Sequence, residues 1–113
     1  MIETIIIDYL KSKTSAGANV FAEKPKAPPT SFIVIEKVGG GADNHIPRAT
    51  VAIQSYGASM LDAASLNEEV KAKMADIITR NDVSSCQLNS DYNYTDTSTK
   101  QYRYQAIFDI VHY

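Results

Sequence analysis

The sequence predicts an α+β domain, in which a mostly antiparallel sheet carries two helices packed on one of its faces. Two segments have helical spacing of their apolar residues, and four have short, β-branched or alternating patterns. The strand-like segments follow one another in pairs that hairpins can join, and the strict strand–helix alternation of a doubly wound parallel sheet is absent. At 113 residues the chain suits one core, so residues 1–113 are predicted to form a single domain.

The first helix is predicted over MIETIIIDYLKSK, residues 1–13. Its apolar side chains follow the i, i+3, i+4, i+7, i+8 spacing of one helical face, and they are Ile2, Ile5, Ile6, Tyr9 and Leu10. Ile7 falls outside this stripe, which predicts a contact beyond the helix's own sheet. Gly17 and Asn19 then interrupt the chain. The segment EKPKAPPT has three prolines in eight residues and is predicted to be a loop or an unpaired edge.

Two strands and a long hairpin tip are predicted next. SFIVIEKV is rich in β-branched residues, and ATVAIQSYG alternates, so the two should pair antiparallel. Between them GGGADNHIPR, residues 39–48, is predicted to be the tip, mobile before it docks, because three glycines impose little order. A phosphate loop is a weaker interpretation, since GxxxxGK[ST] would lead into a helix, whereas this segment leads into a strand and carries Asp43.

The longest periodic segment, ASMLDAASLNEEVKAKMADIITRND, predicts the second helix. Ser59 followed by Asp62 resembles a helix-start signal. The predicted core stripe consists of Ala63, Leu66, Val70, Met74, Ile77 and Ile78. VSSCQL and KQYRYQAIFDIVHY are predicted to be two further strands, connected by the polar segment DYNYTDTSTK.

Charge and hydropathy narrow the function classes. Lys and Arg total 11 against 13 Asp and Glu, a formal net charge of −2, so no overall positive field favours nucleic acid or an anionic membrane. No apolar run approaches the roughly 20 residues that span a bilayer. MIETIIIDYLKSK also lacks the basic leader and cleavage site of a signal peptide. We expect synthesis in a cytoplasm and no membrane partner.

The sequence carries no recognisable catalytic, metal-binding or cofactor motif. Its two histidines, His45 and His112, have no His-x-His, HExxH or cysteine pair beside them, and no GxSxG occurs. Cys86 is the single cysteine, which excludes an intramolecular disulfide and is typical of a small core residue rather than a catalytic thiol. We therefore expect no enzymatic activity and no cofactor.

The tyrosines near the carboxyl end allow two interpretations. Tyr92, Tyr94, Tyr102 and Tyr104, with Lys100 and Arg103, could stack on bases beside positive charge. Three carboxylates, Asp91, Asp96 and Asp109, offset that charge, which favours a half-buried sheet face or a protein interface. Since QAIFDIVHY is apolar on both sides, the second face of the sheet is expected to pack against another copy.

These ordered features resemble those of small tail-completion or tail-terminator proteins of long-tailed (siphovirus-type) bacteriophages and prophages. The likeness consists of the opening amphipathic helix, the extended piece FAEKPKAPPTSFIVIEKVGGG, the strand with AIQSYG, the helix starting SMLDAASLNEEV and the closing YRYQAIFDIVHY. It covers nearly the whole chain. The family has no invariant catalytic motif, so the resemblance supplies no active site.

The resemblance implies a virion protein that forms a ring, typically of six copies, at the head-proximal end of the tail tube. The ring would end tube polymerisation and present a surface to the head connector, so the implied partners are other copies, the tail tube protein and the head connector protein. A closed ring of this kind needs heterologous subunit interfaces. Sequence-specific nucleic-acid contact is not implied.

Individual residues are assigned to protein contacts on this basis. The hairpin tip that would order on a neighbour contains Gly39, Gly40, Gly41, Asp43, Asn44 and His45. Arg48 and Arg103 are the positive groups expected at subunit contacts, or else solvated charges. Ile7, Tyr102 and Tyr104 are expected to supply apolar interface area. Two alternatives stay open: a head-completion or connector protein of the same virion neck, and a small-ligand binding or regulatory domain, including an unrecognised enzyme.

Overall fold

Two helices lie on one face of a five-stranded sheet, as the sequence predicts. The computed structural model describes residues 2–43 and 46–113. The elements, in chain order, are α1 (Ile2–Lys13), β1 (Val20–Phe21), β2 (Phe32–Asp43), β3 (Ile46–Gly57), α2 (Met60–Ala75), a short 3-10 helix (Ile77–Thr79), β4 (Val83–Asn93) and β5 (Tyr102–His112). The predicted α+β class, with a mostly antiparallel sheet, is confirmed.

The strand order across the sheet is β1-β2-β3-β5-β4. β1 is parallel to β2, and the β2–β3, β3–β5 and β5–β4 pairs are antiparallel. The last strand in the sequence therefore lies inside the sheet, between β3 and β4, and β4 forms one edge. The opposite edge consists of β2, which β1 covers only at Ile33 and Val34.

The main core lies between the helices and the sheet. Each strand sends every second side chain toward the helices, as the two-residue period of a strand requires. The buried residues that meet there include Ile6, Leu10, Val70 and Met74 from the helices and Ile35, Val51, Ile53, Phe108 and Ile110 from the strands. A smaller cluster on the opposite face contains Phe32, Val34 and Tyr56.

Helix α2 begins where the sequence signal places it. The Ser59 hydroxyl accepts a hydrogen bond from the backbone N–H of Asp62 at 3.1 Å, which satisfies one of the unpaired donors of the first turn. At the other end, the Tyr9 hydroxyl of α1 donates to the carbonyl of Lys73 at 2.7 Å. This bond ties α1 to the last turn of α2.

Two predicted details of the elements are wrong. Ile78 was assigned to the core stripe of the second helix, but α2 ends at Ala75, and the following 3-10 helix turns Ile78 outward while Ile77 stays buried. A three-residue repeat does not continue the stripe of a helix with 3.6 residues per turn. The other difference concerns the hairpin, whose strands run on through the three glycines.

A glycine in the turn after α1 has a conformation that explains its identity. Gly17 has φ +57°, in the left-handed region, and a Cβ built there would meet no atom within 4 Å. Gly17→Ala is therefore expected to lower the free energy of unfolding by about 1 kcal/mol through backbone strain alone. Urea titration monitored by circular dichroism measures this.

Gly41 supplies the matched control for that substitution. A Cβ at Gly41 also meets nothing within 4 Å, but its backbone is outside the left-handed region. Gly41→Ala should leave the unfolding midpoint unchanged or raise it, because alanine restricts the unfolded chain. Equal losses in the two variants would contradict the assignment of the effect to the φ angle of Gly17.

Candidate assembly surface

The face of the sheet opposite the helices carries a cluster of aromatic rings. Phe32 and Tyr56 occupy paired positions on β2 and β3, and their rings stack with centroids 4.3 Å apart and planes 8° from parallel. Phe21 of β1 meets Phe32 edge-on at 6.3 Å. Stacked and edge-on ring pairs stabilise each other, and Phe32 and Tyr56 are buried, so the cluster is a rigid platform beneath this face.

Arg103 joins this platform to the β4–β5 connection. Its guanidinium carbon lies 4.5 Å from the ring centre of Tyr94 and 5.8 Å from that of Tyr56. Nε donates to the Tyr94 carbonyl at 2.7 Å, and Nη1 donates to the Tyr56 hydroxyl at 3.1 Å. The charge of Arg103 is thus used within the chain, where it holds the connection against the sheet.

Polar side chains continue the same face beyond the rings. Gln54 donates from Nε2 to Oε1 of Gln105 at 2.8 Å, and Gln105 in turn donates to the Tyr92 hydroxyl. Further along, the Asp109 carboxylate accepts from the Thr50 hydroxyl and from Asn89 Nδ2, both at 2.9 Å. These cross-strand bonds fix side chains that would otherwise be free, which makes the face a preformed polar surface.

A concavity of about 660 Å³ lies at the end of the sheet where β2 and β3 turn. Its lining includes the backbone of Gly40 and Gly41 and the side chains of Arg48, Gln87 and Asp109. Arg48 is exposed and pairs with Gly41 on one side and Val111 on the other. Glycine backbone beside polar side chains gives a surface that a partner's loop or strand can approach closely.

The predicted glycine tip is placed differently by the structure. Gly39, Gly40 and Gly41 lie in β2 and pair with Thr50, Ala49 and Arg48 of β3, after a bulge between Lys37 and Gly39. The paired part of the hairpin reaches Asp43 and Ile46. The predicted tip, residues 39–48, is therefore wrong in its extent, because its described residues belong to paired strands and backbone pairing to β3 outweighs the low strand propensity of glycine. Asn44 and His45 lie outside the described residues.

The other residues assigned to protein contacts separate into two groups. Ile7 is partly buried and packs against the chain's own core, so only part of its side chain is available to a neighbour. Tyr102 and Tyr104 are half-buried and alternate with Arg103 along β5, so they lie on the other side of the sheet from its guanidinium. The structure does not bring these tyrosines together with Arg48 or with the glycines.

A small group of charged side chains pairs within the chain around β4. Lys71 Nζ lies 2.6 Å from Asp91 Oδ2 and 2.8 Å from Glu68 Oε1. The hydrogen bond that Lys71 donates to Asp91, followed by the one that it donates to Glu68, raises the pKa of Lys71. Asn67, which is buried, donates to Asp91 Oδ1 at 2.7 Å. These contacts join the middle of α2 to the edge strand.

Neither a metal cluster nor a membrane-crossing helix occurs in residues 2–43 and 46–113. No three His, Cys, Asp or Glu side chains there are grouped so that they could hold a metal ion. Within the same residues, neither helix has the length and apolar character needed to cross a bilayer.

Cys86 packs at the margin of the main core, in line with the sequence interpretation. Burial raises the pKa of its thiol to about 11, from an ordinary value of 9.0. Because the unfolded chain ionises at the lower pH, this group's contribution to stability is complete below pH 9 and is lost as pH rises toward 11.

Alkylation of Cys86 tests its environment. At pH 8 a thiol with the raised pKa has about 100-fold less thiolate than an ordinary cysteine, so native protein should react with iodoacetamide at least that much more slowly than urea-unfolded protein. Mass spectrometry of quenched samples gives both rates. A native rate equal to the unfolded one would contradict the burial of Cys86.

Sequence reasoning missed the aromatic platform and the role of Arg103. The strand spacing contains a signal for the first, since the hairpin that pairs SFIVIEKV with ATVAIQSYG sets Phe32 opposite Tyr56 once the register is known. The sequence contains no signal for the role of Arg103, because the Tyr94 carbonyl to which Arg103 donates belongs to an irregular connection. Contacts of that kind depend on tertiary placement.

The fold and its surface define a two-layer α+β domain with a preformed polar sheet face. A chain in the solved structure described as the virion of a native gene transfer agent particle has a similar fold, with a TM-score of 0.60 and 12% sequence identity. The likeness covers 98% of this chain and 93% of that chain. No protein-family model and no curated protein sequence matches this chain.

Proposed function

We propose that this protein is a structural component of a bacteriophage-type virion. The observation that carries the proposal is the near-complete mutual coverage with a chain of the gene transfer agent particle, 98% of this chain and 93% of that one. Similarity over whole chains means that the same domain, without large additions, serves in that particle. The resemblance of the sequence to tail-completion proteins supports the same conclusion by a separate route.

Within that class, the role we propose is that of a tail terminator. Copies of the chain form a closed ring at the head-proximal end of the tail tube, where one ring face fits the last tube ring and the other offers no site for a further tube subunit. Closure needs two different surfaces on each copy that fit each other. The preformed sheet face and the distinct sheet edges, β2 and β4, supply surfaces of different shape and chemistry.

The rigid contacts described above support a structural rather than a catalytic role. Arg103 and the cross-strand bonds of Gln105 and Asp109 stabilise the shape of the surface. A ring that ends polymerisation works by geometric fit, so its subunits benefit from surfaces that need little ordering on contact. Arg48, exposed beside Gly41, is the positive group that we place at a subunit or tube contact.

Solution mass is the direct test of the proposed ring. Native mass spectrometry or light scattering of the protein alone, and of the protein mixed with purified tail tubes, should reveal multimers of one defined size, with six copies expected. Electron microscopy should then show the protein at one end of the tubes. A protein that stays monomeric alone and does not bind the tubes would contradict the proposal.

A head-completion or connector protein of the virion neck is the second candidate, because the same structural likeness supports any component of the particle. The two roles differ in partner. A connector protein would bind purified heads through the portal side and leave tail tubes bare. Parallel pull-downs with heads and with tubes therefore separate the two candidates.

Alanine replacement of the three glycines tests their part in assembly. In Gly39→Ala/Gly40→Ala/Gly41→Ala the fold should persist, since the added Cβ atoms meet open space, a side-chain contact at 3.7 Å or the flexible end of Lys37. The unfolding free energy should change by less than about 1 kcal/mol. Multimer formation or tube binding should weaken by at least about tenfold, because the added methyl groups would obstruct a partner's close approach.

The readouts of this variant are independent. Thermal unfolding shows whether the fold is kept, and tube co-sedimentation shows whether assembly is kept. If ring formation and tail joining are both intact in a stable triple variant, the glycines have no role in assembly. The control is Lys100→Ala, an exposed change in the β4–β5 connection away from the hairpin.

A further inference from the structure

The sheet has two uncovered edges in the part of the chain that the structure describes. β4 is the last strand on one side, and among these residues no strand pairs with its outer side. At the opposite edge β1 pairs with β2 at Ile33 and Val34 alone. Residues 35–43 of β2 therefore have β3 on their inner side and, among the described residues, no strand on their outer side. Each edge therefore presents a row of backbone N–H and C=O groups to its surroundings.

The two uncovered edges span the same levels of the sheet. Residues that pair in register across β2, β3, β5 and β4 lie at one level of the sheet. One such level contains Gly41, Arg48, Val111 and Ser85. Another contains Gly39, Thr50, Asp109 and Gln87. A third, nearer the other end, contains Ile35, Ile53, Ala106 and Asp91. β1 occupies only the levels beyond this, where Val34 corresponds to Tyr92. Along the strand direction, the open stretch of β2 therefore lies at the same height as residues 85–91 of β4.

Strand direction also suits a second copy. β2, β3, β5 and β4 alternate in direction across the sheet, so β4 runs opposite to β2. When one copy is placed beside another by rotation about an axis along the strands, β4 of the first meets β2 of the second antiparallel. The alternation of the sheet then continues unbroken from copy to copy, with no shift along the strand direction.

The side chains of the β4 edge do little to prevent such pairing. Natural edge strands are commonly protected by lysine, proline or inward charges. Over its whole length β4 has no lysine, arginine or proline, and its one charged residue, Asp91, is paired with Lys71 of the same chain. Bulges at Ser84 and Asn89 restrict regular pairing to the stretches between and beyond them.

Exposed apolar side chains lie at the same level on both edges. Leu88 of β4 is 49% exposed, and Val38 of β2 is 53% exposed. Val38 lies between Lys37 and Gly39, whose register positions on β4 are Leu88 and Gln87. Edge pairing at this level would cover part of each exposed side chain, which would remove apolar surface from water.

We propose that copies of this chain join edge to edge, the outer side of β4 in one copy pairing antiparallel with residues 35–43 of β2 in the next. The occupant of each free edge is a second copy of the same chain. The contact is heterologous, since β4 and β2 are different surfaces, and its repetition by rotation closes a ring. This inference rests on the proposed ring function and specifies the interface that builds the ring.

Disulfide trapping tests the edge contact. In a Cys86→Ala background, Glu36→Cys and Ser90→Cys are combined in one chain, so that the new thiols occupy the same level on opposite edges. Paired positions on antiparallel strands fall within disulfide reach. Mild oxidation of the multimer, alone or on tail tubes, should give a reducible ladder above the dimer. The control pair combines Glu36→Cys with Ser65→Cys on the exposed side of α2 and should give no such ladder.

Hydrogen exchange provides a second readout on the unmodified chain. Amides on the outer side of β4 should exchange at least tenfold more slowly in the multimer than in the monomer, while exposed amides in residues 22–31 should not change. Single-thiol variants can form dimers only, so bands beyond the dimer require both edges of one chain to be engaged.

The outcomes separate this inference from the proposed function. Multimers that give the ladder and the β4 protection support both. Multimers that give neither overturn the edge contact and leave the ring intact as a function. Protection of β4 on tail tubes without a ladder would mean that the tube protein occupies the edge, which overturns self-pairing. A chain that forms no multimer alone or on tubes overturns both.

Discussion

Gly57→Ala is expected to destabilise the protein by about 3 kcal/mol, at the upper end of the range for overpacking. A Cβ built at Gly57 would lie 2.5 Å from the backbone nitrogen of Ala63 and 2.9 Å from the carbonyl carbon of Asp62. These are backbone atoms of the first turn of α2, where Ala63 N–H donates to the Ser59 carbonyl at 3.0 Å. The first turn can move away from Gly57 only if α2 shifts on the sheet, where Leu66, Val70 and Met74 are packed in the main core.

Differential scanning calorimetry would show this loss as a fall in Tm of roughly 10 °C for a domain of this size. The control is Gly39→Ala, where the nearest atom to the added Cβ is at 3.7 Å, an ordinary contact distance. Gly39→Ala should change Tm by no more than about 2 °C in either direction. If Gly57→Ala is equally mild, α2 does not pass over β3 as closely as the structure shows.

Ile77→Ala should cost about 2–5 kcal/mol, while Ile78→Ala should cost about 0.5 kcal/mol or less. Ile77 is completely buried, at 0% exposure, in the main core, whereas Ile78 is 51% exposed. Truncating Ile77 removes buried methyl groups and leaves a cavity beneath the end of α2. Truncating Ile78 removes atoms that already contact water.

The adjacent pair is its own control, because the same side chain is shortened in the same short helix. Urea denaturation with a common m value for both variants gives the two free energies. Equal losses would show that the helical stripe continues through Ile78, as the sequence pattern predicts, and would contradict the outward turn of that side chain.

The fold class could be predicted because its signals are local. Each helix shows a stripe of apolar residues, and Ser59 caps α2 as its position before Asp62 indicates. Hairpin order similarly follows from adjacent strand-like segments. The position of β5 between β3 and β4 is different, since it depends on pairing between residues far apart in the chain, such as Arg48 and Val111. No local pattern contains that information.

The candidate surface was only partly predictable. The glycines were identified as unusual, but their state depends on β3, which pairs with them and makes a strand of a segment with low strand propensity. The sequence predicts Arg103 at a subunit contact or as a solvated charge, but its contacts with Tyr56 and Tyr94 depend on the path of the β4–β5 connection. The edges of the sheet become visible only after the strand order is known.

The inner position of β5 has a consequence for the way the chain folds. The hairpin of β2 and β3 needs only a short loop, whereas β5 must return across α2 and β4 before it can pair with β3, from Gly57 to Tyr102 at the closest level. Contacts between residues so far apart carry a large loop-closure cost and form slowly. Until β5 inserts, both β3 and β4 lack the strand that separates them, and this half-built sheet is the state most exposed to aggregation during refolding.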